Sequence, residues 1–253
     1  LGRKVEAGKN VVVIGGGSTA FDAARTVLRL GAQKVTVLYR RQVEDMPADP
    51  REIEEAREEG IEILPLVAPV EFLGNGRVTG VKCVKMELKG FDDGGRRKPR
   101  AVAGSEFVVP ADMVIPAISQ HSDLPFIDRD EVQLTKWGTL VVDKETMMTR
   151  KKGVFSGGDV VRGPDVAIQA IADGKRAARA IDRYLGGTGV LNKGEEIPIP
   201  RPVDESDVAE HERFPMRFLD PESRKKGFQE VAAGFHKLNA IAEAMRCLRC
   251  DRR

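Results

Sequence analysis

The sequence predicts an α/β chain. A Rossmann-like three-layer domain built on a parallel sheet, with an antiparallel insertion, is followed by a second strand-and-helix unit and an extended, partly helical tail. Three observations carry this. First, the uninterrupted β-branched run Val11 to Ile14 ends in Gly15-Gly16-Gly17 and passes into a stretch with helical spacing. An apolar run of this kind suits a strand buried on both faces of a parallel sheet. Second, another apolar run, Lys34 to Tyr39, follows that helix and ends on Arg40 and Arg41. Third, Gly74-Asn-Gly-Arg77 separates two strand-like runs, and Asn-Gly supplies the positive φ of a hairpin turn. The spacing places the first domain over 8–117, the second over 118–187 and the tail over 188–253.

Taken in order, the first βαβ unit is the most specific. Gly15, Gly17 and Ala20 hold the G-x-G-x-x-G/A spacing of a dinucleotide turn. Gly15 permits the tight strand-to-helix turn, Gly17 lets the backbone approach a pyrophosphate, and Ala20 lets the helix lie close on the strands. The helix from about Ser18 to Leu30 then aims free N–H groups and a positive dipole end at an anion, and Gly31 stops it. The candidate coenzyme set is therefore Gly15, Gly16, Gly17, Ser18, Thr19 and Ala20. An NAD-type site places an acid at the tip of the second strand, whereas this chain has Arg40 and Arg41 there. A carboxylate would repel a 2′-phosphate and a guanidinium grips one. The pattern thus predicts NADPH, with Arg40 the first candidate for the phosphate and Arg41 the second.

Beyond Arg41, Gln42 to Pro50 reads as a loop, Arg51 to Glu59 as a charged helix closed by Gly60, and Ile61 to Leu64 as a strand. Glu71 to Leu73 and Val78 to Leu88 form the predicted hairpin. Lys89 to Arg100 reads as a basic loop, and Phe107 to Ile118 as two short strands split near Pro110. In the second unit, Gly138 to Asp143 and Val154-Phe155 read as strands and Val166 to Leu185 as a helix. The tail begins with a proline-bearing arm, Thr188 to Pro221, and ends in a helix from Pro221 to about Leu248, broken or bent near Gly234. The acidic run Glu52 to Glu59 and the basic patch Arg96 to Arg100 read as solvated faces. The patch is also a candidate for docking an acidic, ferredoxin-like partner.

Composition narrows the functional classes. Lysine plus arginine number 41 against 39 acids, a net of +2, so net charge gives no nucleic-acid footprint. Aromatic residues are 5%, too few to suggest a base-stacking platform. No apolar run is long enough to span a bilayer, and no secretory signal is present. Three cysteines do not make a secreted disulfide scaffold, so the expected compartment is the cytoplasm. The chain opens on Leu1 and enters a strand within ten residues, so a fragment of a longer polypeptide is expected.

Three blocks then line up: Gly15-Gly-Gly-Ser-Thr-Ala-Phe-Asp22 with Tyr39-Arg-Arg41, Val114-Ile-Pro-Ala-Ile-Ser-Gln120, and Gly153-Val-Phe-Ser-Gly-Gly-Asp159. The set resembles the small (β) subunit of NADPH-dependent glutamate synthase and its relatives, including NADPH–ferredoxin transhydrogenase subunits, over about residues 8 to 187. The resemblance implies an NADPH site at Gly15, Gly17, Ala20 and Arg40. It also implies that 118–187 is the C-terminal half of an FAD-binding domain, with Asp159 on the ribityl chain and Gly158 allowing close approach. The helix starting near Ala167 would face the isoalloxazine carbonyl edge. There are two departures: Ser18 stands where the family usually has Asn, and Ser119 where it has Gly. The family's first flavin fingerprint precedes the NADPH domain, so this polypeptide by itself is expected to hold FAD poorly.

The tail ends Cys247-Leu-Arg-Cys250. It resembles the opening of the family's iron–sulfur domain, moved to the C-terminus. A cluster needs about four thiolates, so Cys247 and Cys250 would be partial ligands completed from elsewhere. A redox dithiol and an inert pair remain open. Cys83 reads as a buried small hydrophobe, and His121, His211 and His236 have no metal spacing. The leading expectation is an electron-transfer component that takes electrons from NADPH through FAD to iron–sulfur centres or a larger partner subunit. The alternatives are a disulfide reductase using Cys247 and Cys250, and a non-catalytic nucleotide-binding docking module. No catalytic acid–base constellation is found, as expected where cofactors carry the chemistry.

Overall fold

The computed structural model describes residues 5–92, 95–125, 127–128, 130–191 and 212–246. The chain divides into two compact units, Leu1–Ile118 with Pro202–Arg253, and Ser119–Arg201.

The first unit is built on a four-stranded sheet ordered β3-β2-β1-β8, with β1 Asn10–Ile14, β2 Lys34–Tyr39, β3 Glu62–Pro65 and β8 Met113–Pro116. Its pairings are all parallel, with Val13 opposite Val37 and Ile115. The side chains of β1 alternate between two cores, which explains why the strand is apolar without a break. Val11 and Val13 pack with Ala20, Phe21 and Ala24 of α1 (Ser18–Arg29) and Ile53 and Ala56 of α2 (Pro50–Glu58). Val12 and Ile14 pack instead with Val67, Val81, Cys83 and Val109 of an antiparallel sheet. Helices, parallel sheet and antiparallel sheet are thus the three layers, and the fold class is as the sequence predicts. Asp49 caps α2, its side chain accepting the Arg51 amide at 2.8 Å.

The antiparallel layer comprises β4 Val67–Gly74, β5 Val78–Phe91, β6 Arg97–Ala101 and β7 Phe107–Pro110. The expected basic loop Lys89 to Arg100 is corrected here. Strand β5 continues to Phe91 and β6 pairs with it, Met86 opposite Ala101 and Glu87 opposite Arg100. A bulge between Leu88 and Phe91 absorbs Gly90 at φ +68°. The basic residues therefore lie along an edge strand, where charge discourages pairing with other chains. The acidic helix also departs from a solvated face. Glu59 is 1% exposed, gripped by Arg25 (2.7 Å) and Arg29 (2.9 Å) of α1.

In the second unit, the strands expected over Gly138 to Asp143 and at Val154-Phe155 do not form ladders. They reduce to isolated bridges, Leu134 with Leu140, Val142 with Thr149 and Met148 with Phe155. Local side-chain bonds explain this. The Asp143 carboxylate accepts the amides of Glu145 and Thr146, and the Thr135 hydroxyl accepts those of Trp137 and Thr139. Such bonds turn the backbone and compete with a ladder. A short helix, α3 (Asp159–Arg162), follows Gly158, and α4 runs from Ala167 to Tyr184. The apolar stripe of α4 does not face a core within this unit. Ile168 is 66% and Ile171 52% exposed, while Asp173 is fully buried.

The tail helix expected from Pro221 is interrupted at Gly234, as one of the two expected outcomes there, and also well before it. It is broken into α5 (Pro221–Arg224), a strand and α6 (Lys237–Met245). Strand β9 (Arg217–Phe218) pairs antiparallel with β10 (Ala232–Gly234), and Gly234 sits at φ +70°. Arg224 fixes this piece to the first unit: 7% exposed, it donates to Leu219 O at 2.6 Å and pairs with Glu58 at 2.7 Å. Cys247, Cys250, His211 and most of the proline-bearing arm lie outside the described residues.

Candidate coenzyme site

The glycine turn joins β1 to α1, and its three glycines have separate causes. Gly15 sits at φ +148°, and a Cβ there would lie 2.3 Å from the Ala117 carbonyl oxygen. It is bare because β8 ends against it, the Ala117 amide donating to Ile14 O at 2.7 Å. Gly16 is covered by Tyr39: a Cβ would fall 2.6 Å from two ring carbons. The Tyr39 hydroxyl donates to Asp45 O at 2.8 Å, which fixes the ring there. Gly17 differs. Its φ of −90° and ψ of 171° suit any residue, and a Cβ would meet only Pro47, at 3.8 Å. Among the described residues nothing in the packing requires glycine at this position.

Around Gly17 the backbone offers donors. Among the described residues, the amides of Gly17, Ser18 and Thr19 have no acceptor, while Ala20 and Phe21 already bond Gly17 O. No acid stands in the first turn of α1 and no side chain caps it. Ala20 is fully buried, so the helix lies hard against the sheet, while Ser18 and Thr19 are exposed. A bare, half-exposed position beside unpaired amides at a helix start fits a phosphate.

The two arginines after β2 part company. Arg40 is exposed, with no partner among the described residues. Arg41, the second candidate, is placed elsewhere. It is 5% exposed, its Nη2 donating to Asp92 at 3.0 Å and its Nε to the Arg97 carbonyl at 3.0 Å.

The second candidate set lies in the other unit. Gly158, at φ +69°, ends the glycine turn, and Asp159 begins α3 with an exposed carboxylate that has no side-chain partner among the described residues. At the start of α4 the amides of Ala167 and Ile168 have no acceptor, again among the described residues. The residue that holds this arrangement is Asp173, which the sequence reading missed as an acid inside an otherwise apolar helical pattern. Its carboxylate accepts from the Gly158 amide (3.1 Å), from Arg162 Nε (2.6 Å) and Nη2 (2.7 Å), and from Arg176 (2.8 Å). The Arg162 hydrogen bonds hold it down to about 2; burial acts the other way, and the Gly158 amide and the Arg176 charge add to the lowering. A Cβ at Gly157 would lie 2.7 Å from Asp173 Cβ, so α4 packs directly on the turn. Burial alone raises the Cys83 thiol to about 11, as suits an inert core thiol. Among the described residues no acid, histidine or cysteine cluster could hold a metal, and no helix is long and apolar enough to cross a membrane.

A family model described as pyridine nucleotide-disulphide oxidoreductase matches residues 2–174. The chain belongs to the pyridine nucleotide-disulphide oxidoreductase family. One relative in this family setting is the NADP(+)-dependent formate dehydrogenase subunit beta of Moorella thermoacetica, 41% identical over 255 residues, 97% of this chain and 36% of that protein. Another is the glutamate synthase (NADPH) small chain of Azospirillum brasilense, 48% identical over 180 residues, 70% of this chain and 37% of that protein. The resemblance read from the three motif blocks is therefore borne out. Among solved structures, the thioredoxin reductase of T. acidophilum matches with a TM-score of 0.56 at 26% identity, over 72% of this chain and 53% of that one. The chain spans well under half the length of these two curated relatives.

Proposed function

We propose that this chain is part of a flavin-dependent NADPH oxidoreductase that moves electrons from NADPH through FAD to iron–sulfur centres or a larger partner subunit. The observation that carries the reading is Gly17, bare for no reason found among the described residues, beside amides unpaired among those residues and within one strand's reach of the exposed Arg40. The turn Gly15 to Ala20 receives the pyrophosphate, its amides donating to the anionic oxygens, and Arg40 meets the 2′-phosphate with a charge-assisted fork. On the other unit, Asp159 accepts from the ribityl hydroxyls, Gly158 leaves room for their approach, and the Ala167 end of α4 favours negative charge on the flavin ring. The residues present thus suit the NADPH phosphates and one part of a flavin. FAD, when bound, would supply hydride acceptance from NADPH and its division into single electrons. The family's relatives, named as subunits of formate dehydrogenase and glutamate synthase, support a larger partner subunit. The proposed compartment is the cytoplasm.

The test is isothermal titration with NADPH and NADH. Wild-type chain takes up NADPH in preference to NADH, and Arg40→Ala lowers NADPH affinity by roughly ten- to a hundredfold, as expected for a hydrogen bond to a charged group, with little effect on NADH. Equal loss of both coenzymes removes the phosphate assignment, and no uptake of either removes the whole reading.

A further inference from the structure

We infer that Arg41 is a positioning residue for recognition of the 2′-phosphate, and that Asp92 of the β5–β6 hairpin sets it in place. The inference rests on the reading of the Gly15–Ala20 turn as an NADPH site. Two consecutive arginines end β2 and have opposite surroundings. Arg40 is exposed; Arg41 is 5% exposed and held at both ends. Its carbonyl accepts the Leu66 amide at 3.0 Å, just before β4. Its guanidinium donates to Asp92 Oδ2 and to the Arg97 carbonyl, each at 3.0 Å.

Asp92 is also the residue that closes the hairpin. Its amide donates to Arg96 O at 2.8 Å, its carbonyl accepts the Gly95 amide at 2.9 Å, and its Oδ1 accepts the Arg96 amide at 2.9 Å. One carboxylate therefore joins the hairpin turn to the tip of β2. Two of the five guanidinium donors are spent on a carboxylate and a carbonyl, and at 5% exposure the others are shut away from a ligand arriving from solvent. The Arg41 charge is met by Asp92. The 2′-phosphate thus falls to Arg40, and the direction of Arg40 is set by the fixed residue that follows it. Selectivity for NADPH then depends on Arg41 and Asp92 although neither touches the coenzyme.

The experiment is titration of NADPH and NADH into wild type, Arg40→Ala, Arg41→Ala, Arg41→Lys, Asp92→Ala, Asp92→Asn and the Arg41→Ala/Asp92→Ala double variant, with melting curves alongside. The readout is the ratio of the two affinities, which a merely structural role does not move. Arg40→Ala should lower the ratio by about tenfold or more. Arg41→Ala and Asp92→Ala should each lower it by roughly fivefold and the double variant no further, as for one coupled pair. Arg41→Lys should not restore it, because an ammonium cannot span both acceptors. Asp92→Asn, which keeps an acceptor in the turn, should give a smaller drop of the same sign. A drop with Arg41→Ala that Asp92→Ala does not reproduce would make Arg41 a direct phosphate contact and overturn the inference. An unchanged ratio in both also overturns it. An unchanged ratio in Arg40→Ala takes down the underlying NADPH reading instead.

Discussion

The Asp173 carboxylate, from within α4, accepts the main-chain amide of Gly158 at 3.1 Å while Arg162 closes on both of its oxygens. One buried acid therefore fixes the turn that presents Asp159 and the helix whose start lies at Ala167. Because Arg162 depresses this carboxylate to about 2 against burial, its contribution has a definite sign in pH. It is fully present above the ordinary aspartate value near 3.9 and lost as pH falls through about 2. Acid unfolding followed by circular dichroism should show a limb in that window, and Asp173→Asn should flatten it while lowering the melting temperature at neutral pH. An identical acid limb in the variant would separate Asp173 from the stability of this unit.

Glu59 plays the corresponding part in the first unit. Its side chain is wholly buried between Arg25 and Arg29, which are themselves 17% and 7% exposed. Burial raises its pKa, but the hydrogen bonds from the two arginines more than offset that and leave it below the usual glutamate value. Glu59→Gln removes the acid that Arg29 pairs with and leaves Arg25 with Glu55 alone, at 2.9 Å, and should cost about 3 kcal/mol. Urea denaturation measures it; a loss typical of a surface substitution would mean that the pair α1–α2 is held by Phe21, Ala24, Ile53 and Ala56 alone.

Ser119 has a φ of +106°, a region that side chains rarely adopt. Relief of strain of order 1–3 kcal/mol, less the extra chain entropy of glycine, gives Ser119→Gly a net gain on the order of 1 kcal/mol. The melting temperature should rise, and a fall would show that the serine hydroxyl matters more than the backbone.

The first βαβ unit was legible in the sequence because each of its signals is local. A β-branched run, a glycine spacing and a helical period occupy adjacent residues, and they yield β1, α1 and β2 with boundaries displaced by at most a residue. What was not legible depends on partners distant in sequence. Arg41 and Arg40 look alike until Asp92, fifty-one positions on, takes one of them. Glu59 looks like its exposed neighbours until α1 supplies two arginines. The expected strand at Gly138 to Asp143 failed for the opposite reason. Asp143 and Thr135 bond the amides beside them, and side-chain turns won over β propensity. In the tail, the helical spacing after Pro221 is overridden by the β9–β10 pairing and by the Arg224–Glu58 contact.

The glycine turn offers the sharpest separation of folding from binding. Gly15→Ala must place a methyl 2.3 Å from the Ala117 carbonyl and hold a residue with a side chain at φ +148°, so it should destabilise the first unit whatever it does to a ligand. Gly17→Ala meets neither obstacle. Its backbone is extended and the nearest atom is Pro47 Cγ at 3.8 Å, so the substitution should leave stability unchanged or raise it by about 0.4–1 kcal/mol through the unfolded chain. The same methyl would stand where a pyrophosphate approaches the amides of Ser18 and Thr19, and NADPH affinity should fall by at least about tenfold, the equivalent of one lost charge-assisted hydrogen bond. Melting curves should therefore single out Gly15→Ala as the folding defect, and titrations Gly17→Ala as a binding defect without loss of stability. If Gly17→Ala binds NADPH as wild type does, the phosphate does not sit over Gly17, and the site must be sought along another part of the β1–α1 turn.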